Sequence, residues 1–300
     1  MLALRASVAA PTMTELNVLE FTLFVGLGAL LAGFLGALTG LGGGVVIVPL
    51  LTVGFGVNIR YAIGASLVSV IATSSGAAAA YVKEGYSNVR VGMFLEIGTT
   101  LGALAGAFLA TVVPANALAI VFGVVLLASA FLSARARGET EVGGPPDRLA
   151  ARLRLDASYP TPKGPQHYHV QRVPLGFVLM VLAGLLSGLL GIGSGAFKVL
   201  AMDRAMRLPF KVSTTTSNFM IGVTAAASAG IYLSRGYIAP AVAMPVMLGV
   251  LAGSLLGTRV LMRAHPRALR LVFAVVIVLL AAQMIYKGII GEMKDVPAGH

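Results

Sequence analysis

The sequence predicts an all-α polytopic membrane protein made of two homologous five-element repeats, and three observations carry the prediction. First, 57% of the 300 residues are hydrophobic and 11% charged, with a mean hydropathy of +0.91. Soluble domains carry about a quarter charged residues. Second, the apolar residues fall in blocks of roughly 20, the length of a helix crossing a hydrocarbon core about 30 Å thick, and they lack the strict alternation of barrel strands. Third, the chain matches itself without gaps at a constant offset of 151 residues. Gly33 pairs with Gly184, Gly40 with Gly191, Gly42 with Gly193, Gly44 with Gly195, Ser66 with Ser217 and Thr73 with Thr224, and Gly98, Gly102 and Gly106 pair with Gly249, Gly253 and Gly257.

Taken in order, residues 1–17 read as a loose tail, since Arg5 and a short apolar run make a poor signal peptide. The first repeat, residues 18–133, opens with a block from Val18 to Leu38. The Gly40-Leu41-Gly42-Gly43-Gly44 stretch follows and leads a block to Gly54 that reaches only about 20 Å as a helix, too short to span. It should be a broken or re-entrant helix. Blocks at Ala62–Val82, Val89–Val112 and Ala115–Ser133 complete this repeat.

Residues 134–173, with Gly143-Gly144-Pro145-Pro146, several arginines and Pro160, Pro162 and Pro165, read as a solvated, partly disordered linker. The second repeat, residues 174–290, runs through blocks at Pro174–Leu190, Ser194–Met206, Ser213–Leu233, Ile238–Met262 and Leu269–Ile290, and residues 291–300 form a second tail. With the Arg-rich linker in the cytoplasm, the other basic loops also fall inside if all ten elements cross. That favours inverted repeats with both termini outside.

The net charge of +11 sits in loops between apolar blocks, so it reports orientation and argues against a nucleic-acid partner. The bilayer is the expected surround, and homo-oligomerisation stays open. With no cysteine in the chain, thiolate metal sites and cysteine nucleophiles are excluded. No metal or cofactor is expected.

Glycine-rich backbone inside apolar sequence exposes N–H groups that lipid cannot satisfy, so both stretches should line a protected cavity. Each precedes a short helix whose N-terminal dipole would favour an anion. The candidate substrate-binding residues are therefore Gly42, Gly43 and Gly44 with Ser66, and Gly193, Ser194 and Gly195 with Thr216, Ser217 and Asn218. Close helix packing is the plain alternative for the glycines, and helix–helix hydrogen bonding for the hydroxyls.

Lys198, whose repeat partner is Ile47, is expensive between Phe197 and Val199 unless it faces a polar cavity or snorkels to the interface. Glu96, opposite Met247, is a candidate proton carrier, with a solvated or Arg90-paired carboxylate as the plainer expectation. The glycine ladders from Gly98 and Gly249 read as packing motifs. All four histidines, His167, His169, His265 and His300, fall in loops or the tail. A serine hydrolase would lack its base.

The duplicated Gly-x-Gly-x-Gly element, Pro49, Lys198-Val199 and the string Thr216-Ser217-Asn218-Phe219-Met220-Ile221-Gly222 resemble the TauE/SafE family of sulfite exporters, over roughly residues 20 to 290. The chain departs from the family pattern at Leu200, opposite Pro49, and at Ser194 in place of a third glycine. The resemblance implies a site at the glycine elements and the Thr-Ser-Asn segment. It also implies outward movement of sulfite or organosulfonates across the cytoplasmic membrane by a multi-pass inner-membrane protein, and the two repeats suggest that movement occurs by alternating access of the halves. An anion channel is the nearer alternative and an intramembrane enzyme the more distant one.

Overall fold

The computed structural model describes residues 17–39, 44–83, 86–135, 147–161, 164–261 and 266–293. Gly42 and Gly43, the Gly143–Pro146 run and nearly all of both tails lie outside the described residues. The elements are α1 (Val18–Thr39), α2 (Gly44–Pro49), α3 (Ile59–Lys83), α4 (Val89–Val112), α5 (Ala115–Arg135), α6 (Arg148–Arg152), β1 (Ala157–Thr161), β2 (Gly164–Tyr168), α7 (Val173–Leu190), α8 (Gly195–Leu200), α9 (Phe210–Ser234), α10 (Pro240–Leu261) and α11 (Pro266–Ile289).

Among the described residues, Leu19–Gly36, Val89–Val112, Val173–Leu190 and Pro240–Gly257 are long and apolar enough to cross a membrane, and four shorter apolar segments accompany them. Many large apolar side chains are exposed, as at Leu23, Leu27, Leu101, Phe108, Leu182 and Leu248. A face of that kind suits hydrocarbon as its solvent.

Each short helix runs into a π-helical turn, Leu50–Gly54 after α2 and Ala201–Ala205 after α8. The first pair together spans about 16 Å at 1.5 Å per residue, about half the hydrocarbon thickness. Both turns close with the same bonds. The N–H of Phe55 donates to Leu50 O and that of Val57 to Leu51 O; Met206 donates to Ala201 O and Leu208 to Met202 O. Pro49, which lacks an N–H, sits at the first junction, but Leu200 stands at the second. The wider turn therefore does not depend on proline.

α3 and α9 begin a turn earlier than the apolar blocks suggest. Asn58 accepts from Arg60 N through its side chain, at 3.0 Å, and from Ala62 N through its backbone, which is helix N-capping. Pro209 occupies the same place before α9, as a helix-initiating residue.

The main helix pairs join elements from opposite sides of the linker: α1 lies on α10, α4 on α7, α5 on α11 and α3 on α9. Two seams are backbone to backbone. A Cβ at Gly102 or Gly106 would collide with the carbonyl oxygens of Val181 and Leu185, and one at Gly184 or Gly188 with those of Thr99 and Ala103. Gly253 and Gly249 meet Leu30 and Gly26 in the same way. The glycine ladders set helix separation, as small-residue seams in membranes do.

The linker departs from expectation. Within its described residues Asp147 caps α6 by accepting from Leu149 N, and β1 and β2 form an antiparallel hairpin with Pro160 opposite Pro165. In a two-stranded ribbon every strand is an edge, so proline is tolerated. Ala150, Leu155, Tyr168 and Val170 are buried with Val91, Met206 and Leu208 at one end of the bundle. Four apolar anchors hold a segment whose composition reads as solvated.

Asn88 fastens this cap. Its Oδ1 accepts from Val91 N at the start of α4, while its Nδ2 donates to Leu155 O at 2.9 Å and to Tyr168 Oη at 2.8 Å. Burial pushes the Tyr168 phenol up to about 12; the Asn88 hydrogen bond works against this, and the Asp156 charge adds to it. A folded value above the unfolded value of about 10 means that docking is fully supported below pH ~10 and is lost as pH rises through the folded value. The chain lacks cysteine, so a fluorophore on His167→Cys is a unique reporter of the hairpin. Its signal should report undocking in that alkaline window, and Tyr168→Phe should remove the pH dependence.

Candidate functional site

Gly44, the described end of the first glycine element, meets the second element at Gly191, beside α3. Gly191 and Gly193 take φ of +67° and +70°, which suits glycine, whereas Ser194 holds a left-handed φ of +43° without that freedom. Ser66 on α3 donates to Gly191 O at 2.8 Å, and a Cβ on Gly44 would press on Ser66 Oγ, Val70 and Gly191 O. Ser217 on α9 reaches Gly195 O at 3.4 Å, the same separation as Ser66 to Gly44 O. Gly44, Ser66, Gly193, Ser194, Gly195 and Ser217 thus form one buried cluster. The Ser194 and Ser187 hydroxyls are buried there without a hydrogen-bond partner, the kind of group that calls for an explanation.

Lys198 follows one turn into α8 and is 0% exposed. It does not snorkel. Its Nζ donates to Thr224 Oγ1 at 2.6 Å, and the Thr224 hydroxyl donates to Glu96 Oε1, also at 2.6 Å. Thr100 donates to the same oxygen at 3.2 Å, and Glu96 Oε2 has no partner. Glu96 is 8% exposed, so the solvated or Arg90-paired carboxylate is corrected: Arg90 donates instead to Arg154 O on the linker. A cation and an anion are therefore joined through one hydroxyl, inside helices whose outer faces are apolar. Burial of this kind is tolerated only when the charges are paired.

The 213–218 segment is corrected as well. Since α9 starts at Phe210, these residues lie inside the helix, and Thr214 and Thr215 return their hydroxyls to Phe210 O and Lys211 O. Thr216 Oγ1 accepts from Asn88 N at 3.0 Å, so it belongs to the linker clamp. Asn218 is half-buried on a neighbouring face. The residue that sequence reasoning left out of the site is Thr224, two turns after Ser217 on the same stripe; that helical spacing was the available signal.

A mostly helical multi-pass membrane protein, with interrupted helices and a buried charge pair, is the class these features define. Chains of that build commonly place their sites at broken helices near the midplane. The chain belongs to the family described as "Sulfite exporter TauE/SafE", whose match covers residues 25–284. It is 29% identical to "Probable membrane transporter protein YunE" of Bacillus subtilis (strain 168), over 90% of this chain and 99% of that protein. It is 26% identical to YdhB of the same organism, over 77% and 84%. To the Methanocaldococcus jannaschii protein MJ0441 it is 25% identical, over 81% and 88%; both carry the same description as YunE. No solved structure matches the chain.

Proposed function

We propose that this chain is a secondary transporter that exports a small anion, sulfite or an organosulfonate, across the cytoplasmic membrane by alternating access. The carrying observation is Lys198, a fully buried cation that donates one hydrogen bond, to Thr224. An ammonium has three protons to donate, so an anion can join Thr224 on it. The Ser194 hydroxyl, buried without a hydrogen-bond partner four residues before Lys198, is a further polar group on the same segment. The relatives' printed names support transport, and the family description supports transport and this substrate class.

In this reading residues 18–133 and 174–290 are inverted repeats joined by a cytoplasmic linker, residues 134–173, with the tails outside. Support comes from the 151-residue register and from the two π-turns closed by equivalent bonds. A membrane potential negative inside favours exit of a monovalent anion by roughly 2.3 kcal/mol per 100 mV. Export then needs no nucleotide.

The test is flux in proteoliposomes containing the purified chain. Labelled sulfite or sulfoacetate should leave in a protein-dependent way and be accelerated by an inside-negative potential. Absence of flux for both, with no shift in melting temperature on adding either, would sink the proposal. Unitary currents would replace the carrier by a channel.

A further inference from the structure

We infer that Glu96 is the built-in counter-charge of the empty carrier: it neutralises Lys198 through Thr224 so that the unloaded protein reorients without net charge. The inference rests on the transport reading above and adds how the voltage enters the cycle. Three observations carry it. Glu96 reaches Lys198 only by way of the Thr224 hydroxyl, so it balances the ammonium without occupying the protons an anion would use. Its second oxygen is buried with no partner, which is unfavourable for a carboxylate kept only to stabilise the fold.

The third observation is that, among the described residues, the other ionisable groups on the surrounding helices are engaged elsewhere: on the broken helix of Lys198 itself, Asp203 pairs with Arg204 at 3.5 Å. α7, packed along α4, contains no ionisable residue in its sequence. On α9, Lys211 lies in the first turn with its ammonium over the Tyr86 ring, and Tyr232 near the far end donates to Gly188 O. Arg60 on α3 donates to Ala110 O and Val113 O at the far end of α4. The empty site therefore holds one positive and one negative charge.

A monovalent anion arriving on Lys198 makes the loaded site net negative, so the potential acts on the loaded step and leaves the return step alone. In Glu96→Gln the assignment is exchanged: the loaded site is neutral and the empty one positive. The anion also loses a like-charged neighbour, so half-saturation should fall about tenfold.

The experiment is sulfite–sulfite exchange in proteoliposomes at clamped voltages, in mildly acidic buffer where the probe is the hydrogensulfite monoanion. Exchange uses only loaded carriers. The expected result is exchange that varies with voltage in the wild type and not in Glu96→Gln, together with the lower half-saturation. Voltage-insensitive exchange in the wild type overturns the inference while transport stands, and needs no variant that must fold. So does net sulfite flux that takes up a proton per anion in the wild type but not in Glu96→Gln, which makes Glu96 the proton carrier. No protein-dependent exchange at all removes the transport reading itself.

Discussion

Replacing Lys198 with Met should cut anion flux at least 100-fold and also destabilise the protein. Loss of a buried cation that contacts the transported charge costs on the order of 3 kcal/mol, which is about 100-fold or more. The same change strands Glu96 as a buried, uncompensated anion, and breaking one half of a buried pair typically costs about 3–5 kcal/mol. The intervening Thr224 hydroxyl argues for the lower end. Adding Glu96→Gln removes the stranded charge, so the double variant should recover most of the thermal stability and none of the flux. Melting curves and flux on the four proteins of the cycle give the coupling directly. Flux that survives in Lys198→Met would remove this residue from the site.

Gly102→Leu should prevent assembly of the bundle. Even a single Cβ at this position collides with Val181 O, and the adjoining backbone N of Leu185 stands only 2.9 Å away. The obstacle is backbone on both sides, so no rotamer change relieves it. Overpacked sites cost about 1–3 kcal/mol where side chains can yield; here α4 must move off α7, and the loss should be larger. Size-exclusion profiles in detergent should show loss of the monodisperse peak for Gly102→Leu and a lowered melting temperature for Gly102→Ala. By contrast Gly230 has open space around it, and Gly230→Ala should be nearly silent. An unperturbed Gly102→Leu protein would mean that this seam is not close-packed.

Those two sites mark what the sequence makes legible and what it hides. The seam was readable because glycines four apart lie on one helix face, and a face stripped of side chains has few uses besides close approach. Lys198 was readable because a lysine in an apolar helix must be answered by something. Its answer was not readable. Glu96 and Thr224 are 128 residues apart, on helices whose pairing follows from seams elsewhere. Nothing local in either segment names the other.

The linker was hidden for a different reason. Its composition is set by arginine and proline, and its apolar anchors, Leu155, Tyr168 and Val170, are scattered singly among polar residues, so periodicity has nothing to count. The early start of α9 is signalled by Pro209, whereas the hydroxyl-rich residues from Ser213 onward lie one turn inside the helix. That one-turn difference moves Thr216 from the expected anion site to the clamp on Asn88.

The pairing of helices across the linker also bears on how the chain is made. α1 lies against α10, which begins at Pro240, roughly 200 residues later and therefore on the order of 10–40 s of synthesis at about 5–20 residues per second. Throughout that interval α1 sits in the bilayer without its main neighbour and α5 waits still longer for α11, whereas α4 and α3 gain α7 and α9 earlier. Insertion and assembly are consequently separate events, and α1 and α5 have to persist as individually stable helices. Gly33 meets the Val250 backbone in the finished molecule, a contact that cannot form before α10 is made. The burden of quality control falls late, on the arrival of α10 and α11, so a lesion in those last helices condemns a chain whose earlier part is already in place.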